Sequence, residues 1–525
     1  MESFRQKGGL LHGWGTLHGT GETPCAAWLA AGDERKIPLL LGRTGRSPQG
    51  GKVSVDFVLY GALADIDPQR DSLFMVLEWR DARQLRLPLA VPREAPVGRG
   101  FARIMAMPWR HYFSRGWRLL RQGQAGQLLR KLAGMTAATI TSGWHPAHLL
   151  DWAAAQGRPL ALVIDHDLGG GANLYRRSLL SHLAADGYVP LLLSAHHGIL
   201  AYQLTAQRNA RNRSAHVDDL SELFGYLSQA NIQRVVFNNI LSYPAPLAMV
   251  KGLSDWLRQR RPAQFLFLVH DYYSICPVWL LLDDKGRYCG IPDATVCANC
   301  LRKNTSPFLE FSAGVDIACW RSAWGALLRQ ADEIRCFSHS SREMLLRAHP
   351  ALDPARLSVV PHRLDHVQLR KLELRDSGQP VIGVIGHIAP HKGAHIVRAL
   401  ANHIAASRSR ARIVVIGTIE LELPTGTVTV TGPYRPAELP ALLEGHQVNI
   451  GFFPSICPET FSYVTEEMMM MGLPILAFDL GAPGERVAAY ERGMVIPVGT
   501  PGSILTAIES LYRTHIDAKH NQPSP

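Results

Sequence analysis

The chain has 525 residues, a formal net charge of +11 and 46% hydrophobic residues, enough apolar material for real cores and a length that suggests about three domains. It has no run of about eighteen apolar residues to span a membrane. The opening Met1-Glu-Ser-Phe-Arg-Gln-Lys-Gly-Gly lacks the apolar core of a signal peptide, so a cytoplasmic protein is expected.

Eight cysteines are too few for a disulfide framework in a chain this long. The basic balance favours an acidic partner, whether nucleic acid, an anionic membrane face or phosphate-bearing substrates. Residues 1–95 contain short strand-like runs at 26–30, 37–41, 53–60, 72–79 and 85–91, separated by Gly, Pro and Asp turns. They read as a small β-sandwich module. It carries no acid pair, metal cluster or phosphate loop, so a binding accessory and a structural appendage fit it equally.

Residues 96–155 read as a basic linker. Between 95 and 150 there are eight Arg or Lys and no Asp or Glu. Trp109, Phe113, Trp117, Leu119 and Leu120 interleave with Arg110, Arg115, Arg118 and Arg121. This pattern suits an amphipathic helix lying on an anionic membrane surface, and equally a linker helix packed on the body of the protein. No recognition motif accompanies the charge, which disfavours nucleic acid.

Residues 156–365 open with a buried-strand run at 160–165, followed by Gly169, Gly170 and Gly171 and a helix reaching Ala185. Such glycines let backbone approach a ligand at a helix start; tight packing is the plainer explanation. The spacing is not G-x-G-x-x-G, and no suitable acid follows about twenty residues on, which disfavours a nicotinamide site. Runs at 189–194, 235–238 and 264–269 alternate with helical stretches, the signature of a doubly wound parallel sheet.

His270 falls at the carboxyl end of the third of these strands, the edge where ligands bind, although a lone His is more often structural. Cys276, Cys289, Cys297 and Cys300, the last two as Cys-Ala-Asn-Cys, match a structural tetrahedral zinc. An iron–sulfur cluster uses the same ligands, and unrelated reduced thiols are the bland alternative. Ile334-Arg-Cys-Phe-Ser-His-Ser-Ser reads as a strand and a capped helix.

Residues 366–515 repeat the strand–loop–helix theme. Val381 to Gly386 leads into His387, Lys392 and Gly393, where Lys392 suits a diphosphate as a point charge or is simply solvated. The Thr431-Gly-Pro-Tyr434 turn could flank a base. Then comes Gly451-Phe-Phe-Pro-Ser-Ile-Cys-Pro-Glu459-Thr-Phe461-Ser462-Tyr-Val-Thr-Glu-Glu467-Met-Met-Met-Met-Gly-Leu-Pro474. Thr460 is expected to cap a helix through Met471, and Gly472 to end it. Glu459 and Glu467, eight apart, would repel a bare phosphate but suit hydroxyls flanking a diphosphate.

Pro-Glu-Thr-Phe-Ser with Glu-x7-Glu spacing, then Gly-Leu-Pro-Ile, resembles the retaining nucleotide-sugar glycosyltransferases of the GT-B fold, family 4. The resemblance covers roughly residues 160–510. It implies an α/β fold of two doubly wound Rossmann-like domains facing a cleft. It implies transfer of a hexosyl group to a glycan or lipid-linked acceptor, as in bacterial polysaccharide or lipopolysaccharide synthesis, without a catalytic cofactor or metal.

By the same resemblance Glu459, His270 and Lys392 serve the reacting sugar and diphosphate. Gly169, Gly170, Gly171, His387, Gly393, Phe461, Ser462 and Glu467 bind the donor, with Glu467 on ribose. Members usually carry Arg where His387 stands, which puts the second phosphate contact in question. The enzyme would be cytoplasmic, peripheral on the inner membrane face if the basic stretch binds lipid. The other readings are an epimerase or phosphorylase of the same fold, and a non-catalytic carbohydrate- or membrane-binding scaffold.

Overall fold

The structure is a computed structural model that describes residues 3–7, 10–20, 26–31, 35–38, 40–46, 52–62, 73–79, 83–89 and 144–517. Within 144–517 it leaves out 156, 167–169, 197–200, 209–210, 218, 242, 244, 305, 307–308, 313–314, 365–368 and 425. The basic stretch with Trp109, Phe113 and Trp117 lies outside the described residues, as does Gly169.

Eight strands come first: β1 (Ser3–Lys7), β2 (Leu10–Thr20), β3 (Ala26–Ala31), β4 (Arg35–Pro38), β5 (Leu40–Arg46), β6 (Lys52–Ala62), β7 (Leu73–Glu78) and β8 (Gln84–Leu89). They form two four-stranded sheets, ordered β1-β2-β6-β5 and β4-β3-β7-β8, antiparallel throughout. Two such sheets are what the sandwich reading requires.

The chain divides into two compact units, Met1–Phe267 with Ser306–Asp332, and Leu268–Thr305 with Glu333–Pro525. Beyond the β module, the elements run α1 (Pro146–Ala154), β9 (Leu160–Ile164), α2 (Gly171–Ala185), β10 (Val189–His196), β11 (Ala201–Arg208), β12 (Arg211–Val217), α3 (Leu220–Gln229), β13 (Ile232–Phe237), α4 (Pro246–Arg260) and β14 (Gln264–Leu268). They continue with α5 (Ala294–Lys303), which belongs to the second unit, and α6 (Ile317–Leu328), which belongs to the first.

Strands follow one another in the order β12-β11-β10-β9-β13-β14. The four from β10 to β14 are parallel, while β11 and β12 add an antiparallel edge that the apolar runs do not foretell. All five residues of β9 are buried, as expected of a strand covered on both faces.

The second unit continues with β15 (Glu333–Cys336), α7 (His339–Ala348), β16 (Leu357–Val359), β17 (Val381–Ile388), α8 (Ala394–Ser407), β18 (Arg412–Ile419), β19 (Val428–Val430), α9 (Leu439–Gly445), β20 (Ile450–Phe453), α10 (Tyr463–Met470), β21 (Ile475–Phe478), α11 (Gly481–Ala488), β22 (Gly493–Ile496) and α12 (Pro501–His515). Its six-stranded sheet, β19-β18-β17-β20-β21-β22, is wholly parallel.

Alternate residues supply the two faces of this sheet. Ile382, Val384, Ile413, Val415, Phe452 and Phe478 pack with α8 and α12 on one side. Val381, Ile385, Val414, Ile416, Ile475 and Ala477 pack with α9 and α10 on the other. A strand apolar on both faces reads as a continuous run, and such a sheet presents its strand ends and helix starts at one edge. The protein is α/β, with doubly wound parallel sheets following a β module.

Candidate functional site

The turn between β20 and α10 holds the densest chemistry. Ser462 is the N-cap of α10, its side chain accepting from Thr465 N at 3.3 Å. The cap expected at Thr460 is therefore two residues off. Thr460 instead donates its hydroxyl to the His270 carbonyl at 2.9 Å, tying the turn to the end of β14. The helix stops where expected, with Gly472 at φ 78.

Glu459 lies in this turn. The residue is half-buried, but its Oε1 is enclosed and has no hydrogen-bond partner in the protein. Burial raises its pKa, opposed by the Lys392 charge and the Ser455 hydroxyl. An enclosed carboxylate oxygen without a protein partner has the acceptor capacity to take a hydroxyl hydrogen bond.

Glu467, just past the first turn of α10, is 7% exposed, and burial lifts its pKa to about 7. Its charge in turn raises the Tyr434 phenol, after burial. Tyr434 of the Thr431–Tyr434 turn and Glu467 are thus neighbours.

Lys392 ends a short turn after β17 and is followed by Gly393 at φ 85. A Cβ there would sit 2.1 Å from the Pro454 carbonyl, so only glycine lets this loop press against the β20 turn. The neighbouring His391 is lowered to about 4, by burial first and then by Lys392. Trp279 meets the His391 ring edge-on at 6.1 Å.

Both nitrogens of His387 are engaged, Nδ1 with Thr418 Oγ1 at 2.7 Å and Nε2 with Glu420 Oε1 at 2.8 Å. The sequence alone did not reveal Glu420 as a partner of His387. The signal was the pairing of β17 with β18, in which His387 and Thr418 are register partners.

His270 lies at the end of β14, its ring tilted on Phe337 at 4.6 Å and edge-on to His362 at 5.3 Å. His362 stacks on Phe461 at 4.5 Å. The Lys392 charge acts on Glu459, and Thr460 ties the Glu459 turn to His270.

In the first unit Gly170 is the N-cap of α2 at φ 84, with Gly171 exposed at its first position. Beside them Asp165, wholly buried, pairs with Arg176 at 3.0 Å and accepts from Asn173 at 3.2 Å. Burial raises it to about 6 against the pull of Arg176. Sequence reasoning saw this residue only as a strand end.

The metal centre expected at Cys276, Cys289, Cys297 and Cys300 is not confirmed by the structure. Among the described residues no group of three or more His, Cys, Asp or Glu is placed to hold a metal ion. Cys297 and Cys300 sit one turn apart on α5 and make local contacts, Cys297 Sγ to the Pro292 carbonyl at 3.6 Å and Cys300 Sγ from Asn304 Nδ2 at 3.6 Å. Burial raises the Cys289 thiol, with smaller contributions from Cys297 and Cys300.

Residues 379–514 match the family described as Glycosyl transferases group 1. Two curated relatives, both described as GDP-mannose-dependent alpha-mannosyltransferase, come from Mycolicibacterium smegmatis and Mycobacterium tuberculosis. The first is 29% identical over 227 residues, covering 41% of this chain and 56% of the relative. The second is 32% identical over 229 residues with the same coverage. The chain thus spans about half the length of the curated relatives it matches, 56%.

Among solved structures, a Thermosynechococcus elongatus sucrose-phosphate synthase aligns at 16% identity and TM-score 0.44, over 67% of this chain and 89% of that one. Anabaena Alr3699/HepE, crystallised with UDP and glucose, aligns at 14% identity and TM-score 0.41 over the same shares. The fold rests on the strand order above rather than on these.

Proposed function

We propose that the chain is a glycosyltransferase of the GT-B fold, family 4, that moves a sugar from a nucleotide-sugar to a hydroxyl acceptor with retained anomeric configuration. The observation that supports this best is the enclosed Oε1 of Glu459 without a protein partner, on which the Lys392 charge acts. In this reading Glu459 grips donor-sugar hydroxyls beside the reacting carbon. Lys392 and the first N–H groups of α10 stabilise the departing diphosphate, and Glu467 takes the ribose. His270 contacts the sugar from the end of β14.

The anomeric carbon–phosphate oxygen bond breaks, the bond to the acceptor oxygen forms on the same face, and the acceptor proton passes to the leaving phosphate oxygen. Lys392 supplies the positive charge that a metal ion supplies in other sugar transferases. The relatives described above make GDP-mannose the first donor to try, with a glycan or lipid-linked acceptor of bacterial envelope polysaccharide as the matching class. The basic composition of 101–131 suits an anionic membrane face, and salt-sensitive binding to anionic but not neutral vesicles tests that part.

The core test is thermal shift of the full chain with GDP, UDP, GDP-mannose and UDP-glucose, followed by product analysis with and without acceptor. A ligand that binds only the folded state raises the midpoint. No shift with any of the four removes the proposal, and turnover without acceptor redirects it to an epimerase.

A further inference from the structure

We propose that His362 is a positioning residue that locks the Glu459 turn against His270. The proposal rests on the nucleotide-sugar reading for its catalytic consequence, but not for its geometry. His362 lies just beyond β16 and is 8% exposed. Its ring centroid lies 4.0 Å from that of Phe337, 4.5 Å from Phe461, 5.2 Å from Tyr463 and 5.3 Å from His270. Those neighbours come from the end of β15, the turn before α10, the first residue of α10, and the end of β14. One imidazole therefore meets every segment that carries a proposed sugar-binding group in this unit except the Lys392 loop.

Packing alone does not explain a histidine here, since phenylalanine would fill a similar volume. The difference is a hydrogen bond, His362 Nδ1 to the Tyr463 hydroxyl at 2.6 Å. The ring lies nearly flat on Phe461, with 11° between planes, and upright to Phe337 and His270, at 79° and 86°. A hydrogen bond to one ring nitrogen fixes the rotation of the ring about its Cβ–Cγ bond. Burial lowers its pKa to about 3, so the ring is neutral at ordinary pH, with Nδ1 able to accept the phenolic proton. Thr460, bonded to the His270 carbonyl, fixes the same turn three residues before Tyr463. Between them, the two bonds hold Glu459 and His270 at a set spacing, which is what a reacting sugar held from two sides requires.

The experiment compares His362→Phe, Tyr463→Phe and the double variant in the full chain. It reads turnover with GDP-mannose and UDP-glucose, affinity for free GDP and UDP, and amide hydrogen exchange of residues 459–466 without ligand. Each single variant is expected to lower kcat by about tenfold or more while nucleotide affinity stays within about twofold, a loss of geometry and not of binding. The double variant should be no worse than the poorer single one, because both delete the same bond. Exchange across 459–466 should quicken in all three.

Unchanged kcat, kcat and affinity falling together, or additive losses overturn the proposal. If His362→Phe does not fold, Tyr463→Phe, which removes one hydroxyl, decides alone. Hydrogen exchange also reads the lock in a chain that binds no nucleotide. That outcome would sink the donor reading, while unchanged exchange would sink the positioning role.

Discussion

The Glu485 carboxylate spans the first two amides of α7, accepting from His339 N at 3.0 Å and from Ser340 N at 2.7 Å. Glu485 belongs to α11, nearly 150 residues further along the chain. A carboxylate over unsatisfied helix N–H groups gains from both hydrogen bonding and the helix dipole. Ser338 and Ser341 complete a capping box behind it, so the helix start is satisfied twice, once locally and once from afar.

Glu485→Ala should therefore destabilise the chain by about 1 kcal/mol, since His339 is exposed and water replaces part of what is lost. Glu485→Gln, which keeps one acceptor oxygen, should recover part of that. Urea unfolding of the three proteins reads the difference, and equal midpoints for all three would show that the bridge adds nothing.

Much of the sheet was legible because its strands are apolar on both faces, as Val381 to Ile385 shows. The Glu459 turn was legible because its residues are contiguous. What escaped depends on partners distant in sequence. Thr460 and Ser462 are both good caps, and the bond from Thr460 to the carbonyl of His270, 190 positions away, leaves the cap to Ser462. Glu420 reaches His387 only because β17 and β18 lie side by side. The Cys297 and Cys300 spacing fits one face of a helix as well as a metal knuckle, and spacing alone does not separate the two.

Lys392→Ala should weaken binding of GDP or UDP by about ten- to hundredfold, the usual effect of losing a charged hydrogen-bond donor. GMP and UMP, which lack the second phosphate, should lose less. Lys392 also holds down the proton affinity of Glu459. Removing it should shift the acid limb of the pH–rate profile to higher pH, because Glu459 then stays protonated further up the scale. Calorimetry and the pH profile check the two halves separately.

Glu459→Gln tests the reacting centre. Its charge would face the positive character that develops on the sugar carbon, so its loss should lower kcat by about a hundredfold or more. Affinity for free GDP or UDP should change by less than about threefold, since that carboxylate does not touch the nucleotide in this reading. Nucleotide affinity governed by Glu459 and turnover governed by Glu467 would reverse the assignment of the two acids.

Glu467 makes a prediction with a definite sign. Burial lifts its pKa from 4.5 to about 7, so the folded chain binds this proton more tightly than the unfolded one. The stabilisation is present in full below about pH 4.5 and disappears as pH rises through about 7. By pH 8 the buried charge costs up to about 3 kcal/mol relative to a neutral group. Glu467→Gln is neutral at every pH, so it should unfold at higher urea than the parent at pH 8 and near the same urea at pH 4. If ribose hydroxyls donate to the ionised carboxylate, as proposed, nucleotide binding should release part of a proton near pH 7 and tighten as pH rises from 6 to 8. Calorimetry in buffers of different ionisation enthalpy measures that release. In Glu467→Gln both the release and the added pH dependence should vanish, leaving only the titration of the nucleotide phosphate and an affinity about ten- to hundredfold weaker. A variant that keeps the parent's proton release would show that the pH dependence arises from another group.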